Sequence, residues 1–159
     1  SHAVSAGTAA TVVNIALMRS ELTTPKIIVS PCDPTRQAGN ESLQGNWKTA
    51  NAGEIADGLS YAFALGGDSQ RPSTVLALTS NISAATLRGS WSGADEGAGS
   101  PPAEAFGGLN KSQGQLVNAD GSAKQSTNAD LGANGKIVKA HENSTGGQNK
   151  GKASVTVLK

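Results

Sequence analysis

LSYAFALGGDSQRPSTVLALT, residues 59–79, decides the fold. Two apolar runs, residues 59–65 and 74–79, flank the turn-rich GGDSQRP. Both runs are short and rich in aromatic, β-branched or alternating apolar residues, so each reads as a strand. Their separation suits an antiparallel pair joined by a wide connection. In the first run Leu59, Tyr61, Phe63 and Leu65 fall on one face.

Toward the N-terminus, residues 33–57 are polar and carry Pro34, Gly39, Gly45 and Gly53. They read as an irregular loop that Trp47 plugs onto the core. KIIVS, residues 26–30, lies between Pro25 and Pro31 and reads as a short buried strand. Further out, residues 9–22 space Val12, Ile15, Ala16, Leu17, Met18 and Leu22 as on the buried side of a helix. Thr8 suits its N-cap, and Pro25 ends it near Thr23. Residues 1–8 are small and polar and read as a flexible N-terminus, with Ser1-His2 the scar of a removed tag.

Toward the C-terminus, residues 88–113 hold Pro101-Pro102 and little that is apolar beyond Trp91, Phe106 and Leu109. This reads as a second long loop. Residues 115–118 and 123–126 form a hairpin around Asp120-Gly121, a strong turn signal. A helical turn capped by Thr127 or Asn128 follows over residues 127–131. Residues 132–152 read as a Gly- and Asn-rich loop, and ASVTVL, residues 153–158, as a final strand. The plan is α+β: an N-terminal helix packed on a small antiparallel sheet with long Gly/Ser/Asn-rich loops, in one domain over residues 1–159.

Composition bounds the rest. The chain has 159 residues, 36% of them hydrophobic and 3% aromatic, with 20 glycines. The core is therefore built from little large apolar surface. A formal net charge of +1 gives no electrostatic reason to expect nucleic acid as a partner. Cys32 is the lone cysteine, so no internal disulfide forms. No stretch approaches the roughly 20 apolar residues of a membrane span.

Catalytic groups are sparse. The histidines are His2, in the terminal segment, and His141, which the pattern puts in a solvated loop. No GxSxG elbow surrounds a serine. Cys32 sits beside Asp33, and a neighbouring carboxylate raises a thiol pKa, so Cys32 reads as a buried or half-buried structural thiol. Asn40, Asn81, Asn110 and Asn143 open Asn-x-Ser/Thr triplets that read as chance occurrences. Trp47 and Trp91 read as anchors of their loops, and the other reading of both is sugar stacking in an extracellular glycan-binding or adhesin module. An aromatic body with one polar N–H suits either use.

An ordered set of segments carries a further likeness: SELTTPKIIVSPCD (residues 20–33), LSYAFALGGDSQRPSTVLALTSNI (59–82) and GQLVNADGSAKQ (114–125). Within them Ser20, Glu21, Leu22, Pro25, Lys26, Cys32, Asp33, Tyr61, Asp68, Pro72, Asn81, Asp120, Gly121 and Ser122 match a family pattern. The chain resembles type II secretion pseudopilin-like and type IV pilin-like proteins of the Planctomycetes–Verrucomicrobia type, over residues 12–131. It departs from them in reading Pro31-Cys32 where the family reads Cys-Pro. It also shows no leader and no hydrophobic N-terminal helix.

The resemblance implies a pilin-like head and a non-catalytic structural subunit that works by polymerisation. Its partners would be identical subunits, the secretion or pilus assembly machinery, and the inner membrane, reached through an N-terminal helix absent from this chain. The location implied is periplasmic or cell-surface, with the precursor anchored in the inner membrane. Glu21, Lys26, Arg36 and Arg71 are candidates for subunit contacts. Likeness to major pseudopilins also implies a calcium loop, for which Asn118, Asp120, Ser122 and Asp130, with Asn128, offer oxygen ligands. Their spacing does not match an EF-hand, and a hairpin turn accounts for Asp120-Gly121 without an ion.

Overall fold

Five strands form one sheet in the order β4-β3-β2-β1-β5: β1 Tyr61–Ala64, β2 Val75–Thr79, β3 Gln113–Asn118, β4 Ala123–Thr127 and β5 Val157–Leu158. The pairs β2–β3, β3–β4 and β1–β5 are antiparallel. With its helices, the chain is α+β as its sequence patterns imply. The computed structural model describes residues 8–92, 106, 109, 112–147 and 151–159. Residues 1–7 and most of the 93–111 stretch, which the sequence reads as a loose terminus and a loop, lie outside the described residues, as do His2 and Asn110.

The chain divides into two compact units, Ser1–Tyr61 with Lys159, and Ala62–Leu158. Ala62 and Ala64 of β1 are buried in the second unit, while Phe63 and the preceding Tyr61 are half-buried. The expected aromatic face is thus the less buried one. Larger side chains fill the cluster around the two alanines, among them Leu78, Ile82, Leu87, Trp91, Leu116 and Ile137. Small residues on β1 leave room for them.

The 113–127 hairpin forms in the register Gln113↔Thr127 to Val117↔Ala123. Gly121 sits at φ +82 in its turn, a conformation glycine adopts at no steric cost. A short 3-10 turn, Asn128–Asp130, follows with Thr127 as its cap, as the sequence predicts. The expected loop at 132–152 instead contains a helix, α5 (Lys136–Glu142), which buries Ile137, Val138 and His141. Positions 137, 138 and 141 recur at helical spacing, and the surrounding glycines and asparagines hide that stripe.

The first unit differs most from its sequence reading. The expected helix 9–22 is two helices, α1 (Ala9–Val13) and α2 (Ala16–Leu22). They are separated at Asn14-Ile15, where Ile15 is extended at φ −61, ψ 131. Val12-Val13 carry β-branched penalties and Asn14 favours turns, so the helix breaks there. The buried face is Ala9, Ala10 and Val13, and Ile15 and Leu17 are exposed. α1 packs on α4 (Ala52–Asp57), not through the stripe that periodicity picked. Thr8 caps α1 as expected, its hydroxyl accepting from Thr11 N–H at 3.4 Å.

KIIVS forms no strand. Pro25–Ile28 is a 3-10 turn with Thr24 as cap and Pro25 at its start. The 33–57 loop is two helices, α3 (Gln37–Asn46) and α4. Glycine explains both the fold and the misreading. A Cβ on Gly39 would lie 2.3 Å from the Asp57 carbonyl oxygen, and one on Gly58 would lie 2.9 Å from Asn40 backbone. The two helices approach backbone to backbone, which residues of low helix propensity permit. Asn40, nearly fully buried, then donates through Nδ2 to the carbonyls of Pro25 (2.6 Å) and Gly58 (3.3 Å).

Candidate functional site

The calcium candidates fall at two ends of one hairpin. Asn118, Asp120 and Ser122 share the turn, where Asp120 Oδ1 accepts from Ser122 N–H (2.8 Å) and hydroxyl (2.6 Å). These two bonds hold the Asp120 carboxyl below its ordinary pKa. Asp130 lies beyond the far end of β4, in the turn after Thr127, and accepts from Thr127 N–H at 2.9 Å. The five residues of β4, at about 3.4 Å each, separate the two places. Asn128 Oδ1 accepts from Trp91 N–H. The structure therefore brings three of the four named ligands together and leaves Asp130 apart.

His141 is not a loop residue. It lies on α5 with no exposed surface. Its Nδ1 accepts from Val75 N–H at 3.0 Å, so the ring proton is on Nε2, which donates to the Ser154 carbonyl at 2.7 Å. Gly66 makes room for this bridge, since a Cβ there would lie 2.2 Å from the Ser154 oxygen. Burial lowers the His141 pKa, and the Arg71 charge lowers it further against the opposing pull of Ser154 and Glu142. Both ring nitrogens are engaged by backbone, so the imidazole presents no free atom to a substrate.

The two tryptophans are interior anchors. Trp91 Nε1 donates to Ser126 Oγ at 3.0 Å, and its ring lies against Gly114. Trp47 is 7% exposed, and the Arg19 guanidinium covers its ring at 5.6 Å from the centroid. Neither ring face is open for sugar stacking. Asn40 and Asn81 are buried, whereas Asn143 is exposed. Cys32, expected to be buried or half-buried, is an exposed free thiol, because the turn at Pro31-Cys32 directs the buried position to Asp33.

Of the four contact candidates, Glu21 and Lys26 are exposed and Arg36 is half-buried. Arg71 is buried, which corrects its reading as a contact residue. Its Nε donates to Gly146 O (2.8 Å), its Nη1 to Gly151 O (3.1 Å), and Asp68 lies 3.9 Å away. The guanidinium thus organises the loop after α5. A cleft of about 560 Å³ opens beside it, lined by Glu142, Ser144, Thr145 and Lys152 among others. Arg88 pairs with Glu142 there and holds that carboxyl below its ordinary pKa.

A second cleft, of about 500 Å³, lies in the first unit between Asn14, Arg19, Ser20, Thr23, Trp47 and Lys48. Arg19 Nη1 donates to Lys48 O at 2.9 Å and Nη2 to Ala50 O at 2.5 Å and to Asn14 Oδ1. These carbonyls lie just past the end of α3, where backbone acceptors lack helical partners. Thr23, at its rim, holds φ 53, a strained value for a β-branched residue. Sequence reading placed Trp47 near the core but missed this cleft, because Arg19 and Trp47 lie 28 positions apart on helices thought to be one helix and a loop.

Among the described residues, no group of three or more His, Cys, Asp or Glu side chains is placed to hold a metal ion, and no helix is long and apolar enough to cross a membrane. No family model, no curated protein and no solved structure matches the chain.

Proposed function

We propose that this chain is the head of a pilin-like structural subunit, one that works by polymerisation in a type II secretion pseudopilus or type IV pilus-like filament. The observation that carries the reading is the apolar surface of its N-terminal unit. Leu17 on α2 is 78% exposed, Ile27 on the following 3-10 turn 58%, and Ile15 40%. Large side chains so exposed in one short segment suit a part that other subunits cover. The ordered motifs from Ser20 to Ser122 support the same reading. So does the internal use of His141, Trp47, Trp91 and Arg71, which leaves each of them holding the fold. In this reading a separate N-terminal helix anchors the precursor in the inner membrane, since the extended Thr8 cap starts α1 afresh, and the head faces the periplasm or cell surface.

The test is microscopy of host cells producing the native protein, with the chain labelled by a specific antibody. Labelled filaments, or a periplasmic pseudopilus dependent on the assembly ATPase, are expected. A diffuse monomer with no membrane-anchored precursor overturns the reading. An extracellular glycan-binding module is the rival, and a glycan array separates the two.

A further inference from the structure

We propose that the cleft between α2 and the end of α3 is an oxyanion site, with Arg19 and Lys48 as its cations and a carboxylate-bearing small molecule or side chain as its ligand. Arg19 supplies the first argument. Its guanidinium is half-buried against Trp47, and its contacts are a ring, two backbone carbonyls and the Asn14 amide oxygen. No carboxylate pairs with it among the described residues, where the ion pairs are Arg71–Asp68 and Arg88–Glu142. A partly desolvated cation without a counter-charge holds a strong positive potential, since low local dielectric strengthens its field. Lys48, on the same cleft wall, adds a second positive charge with no ion partner among the described residues.

Unmet hydrogen bonds supply the second argument. Arg19 Nε–H and Trp47 Nε1–H are both out of water and have no acceptor. Native proteins leave few buried donors unpaired, and each such donor asks for an explanation. The two here belong to neighbouring residues of one cleft lining, and an acceptor that enters as the Arg19 and Trp47 side chains part would serve both. An oxyanion satisfies both the donors and the charge, and charge-assisted bonds of this kind are the strong ones. The hydroxyls of Ser20 and Thr23 stand at the same opening. The strained Thr23 backbone fits a rim held in place for binding, as sparsely populated conformations cluster at ligand clamps.

Capping the end of α3 accounts for two of the guanidinium's hydrogens and Asn14 Oδ1 for a third, and neither accounts for the unpaired Nε–H or for Lys48. The cleft has room for a small dicarboxylate or an acidic side chain, and its chemistry does not separate a free metabolite from a Glu or Asp of another chain. The reading is independent of filament assembly.

The experiment titrates acetate, succinate, inorganic phosphate and sodium chloride into the uniformly 15N-labelled protein at constant ionic strength. The Trp47 indole and Arg19 Nε–H signals are followed, with the Trp91 indole as internal control because Ser126 already binds it. Saturable shifts of the Trp47 and Arg19 signals with the carboxylates, and a still Trp91 signal, are expected. Tighter binding of phosphate assigns the site to phosphate and overturns the carboxylate. Equal response to chloride, or no saturable response to any anion, overturns the site. Lys48→Gln, at an exposed position, keeps the fold and is expected to weaken binding several-fold. Arg19→Lys keeps the charge but not the Nε–H and is expected to lose the Trp47 shift. Full affinity in both variants also overturns the proposal. A glutamate-containing peptide run beside succinate distinguishes a protein-borne carboxylate from a free one.

Discussion

Val75 and His141 are bound to each other, the backbone N–H of Val75 donating to Nδ1 of the buried imidazole at 3.0 Å. The bond ties the first residue of β2 to α5, 66 positions later in the chain. Through Nε2 the same ring reaches the Ser154 carbonyl, just before β5. One neutral side chain therefore joins three segments that the sequence keeps far apart.

His141→Ala is expected to destabilise the protein by about 2–5 kcal/mol, because it empties a buried volume and leaves a backbone donor and acceptor unpaired. His141→Asn is expected to recover part of that loss, as its amide oxygen can take the Val75 N–H. Urea unfolding followed by circular dichroism measures both. A loss below about 0.5 kcal/mol, the range of ordinary surface changes, shows that the bridge does not hold these segments.

The same histidine sets a pH dependence. Its folded pKa lies below the ordinary 6.5, chiefly because burial disfavours the charged ring. Above that value the ring is neutral folded or unfolded, and its contribution to stability is complete. As pH falls below about 6.5, the unfolded chain takes up a proton that the folded chain refuses, so stability declines until the folded pKa is reached. Asp120 and Glu142, whose pKa values are also lowered, lose their contributions later, below about 3.8 and 4.5. Urea midpoints between pH 7.5 and 5.5 are expected to fall in the wild type and to stay flat in His141→Asn.

Local signals mark four strands well, whereas KIIVS is no strand, the expected final strand 153–158 narrows to Val157–Leu158, and the helices are hard to read. Asp120-Gly121 marks its hairpin by turn chemistry alone, and the 59–79 runs mark neighbouring strands. Asn51 and Glu54 carry a capping box for α4, with Glu54 accepting from Asn51 N–H at 2.7 Å. That signal lies open in the sequence, yet glycine and asparagine around it read as loop. Gly39 and Gly58 owe their presence to helix contact, a tertiary cause that no window of sequence displays. The burial of His141 has a similar cause: its partners are backbone groups of β2 and of the segment before β5, far away in sequence. The Arg19–Trp47 cleft depends on a helix break and a helix that periodicity does not show.

Gly114 offers a direct test of packing. A Cβ there would lie 2.2 Å from the Trp91 ring, which is itself held by Ser126 and the Ile82 bridge. The ring has no flexible end to swing away. Gly114→Ala is expected to cost about 1–3 kcal/mol through overpacking and to alter the near-ultraviolet signal of Trp91. Thermal melts check it, and an unchanged melting temperature rejects the rigid-ring account.

Arg71 tests how the loop after α5 is held. Lysine keeps the charge near Asp68 but offers one nitrogen on a flexible stem in place of the separate Nε and Nη1 that reach Gly146 and Gly151. Arg71→Lys is expected to lose about 1–3 kcal/mol of global stability, because a charge at this buried position is left with fewer hydrogen bonds. It is also expected to speed proteolysis and amide exchange at residues 143–147, while residues 113–127 keep their protection. Uniform loss of protection across both regions rejects the local role.

Leu17 tests the proposed assembly without disturbing the head. Its side chain is 78% exposed, so Leu17→Glu is expected to change the isolated head's stability by no more than about 0.5 kcal/mol. In a filament that covers this surface, the new carboxylate would be buried without a partner, at a cost of several kcal/mol per contact. Filaments are therefore expected to disappear from cells carrying Leu17→Glu, with protein level and melting temperature retained. Gln44→Glu, an equal charge change at an exposed position on α3, is expected to leave assembly intact. Normal filaments in the Leu17 variant remove the exposed N-terminal segment from the interface, and loss of filaments in both variants assigns the effect to net charge.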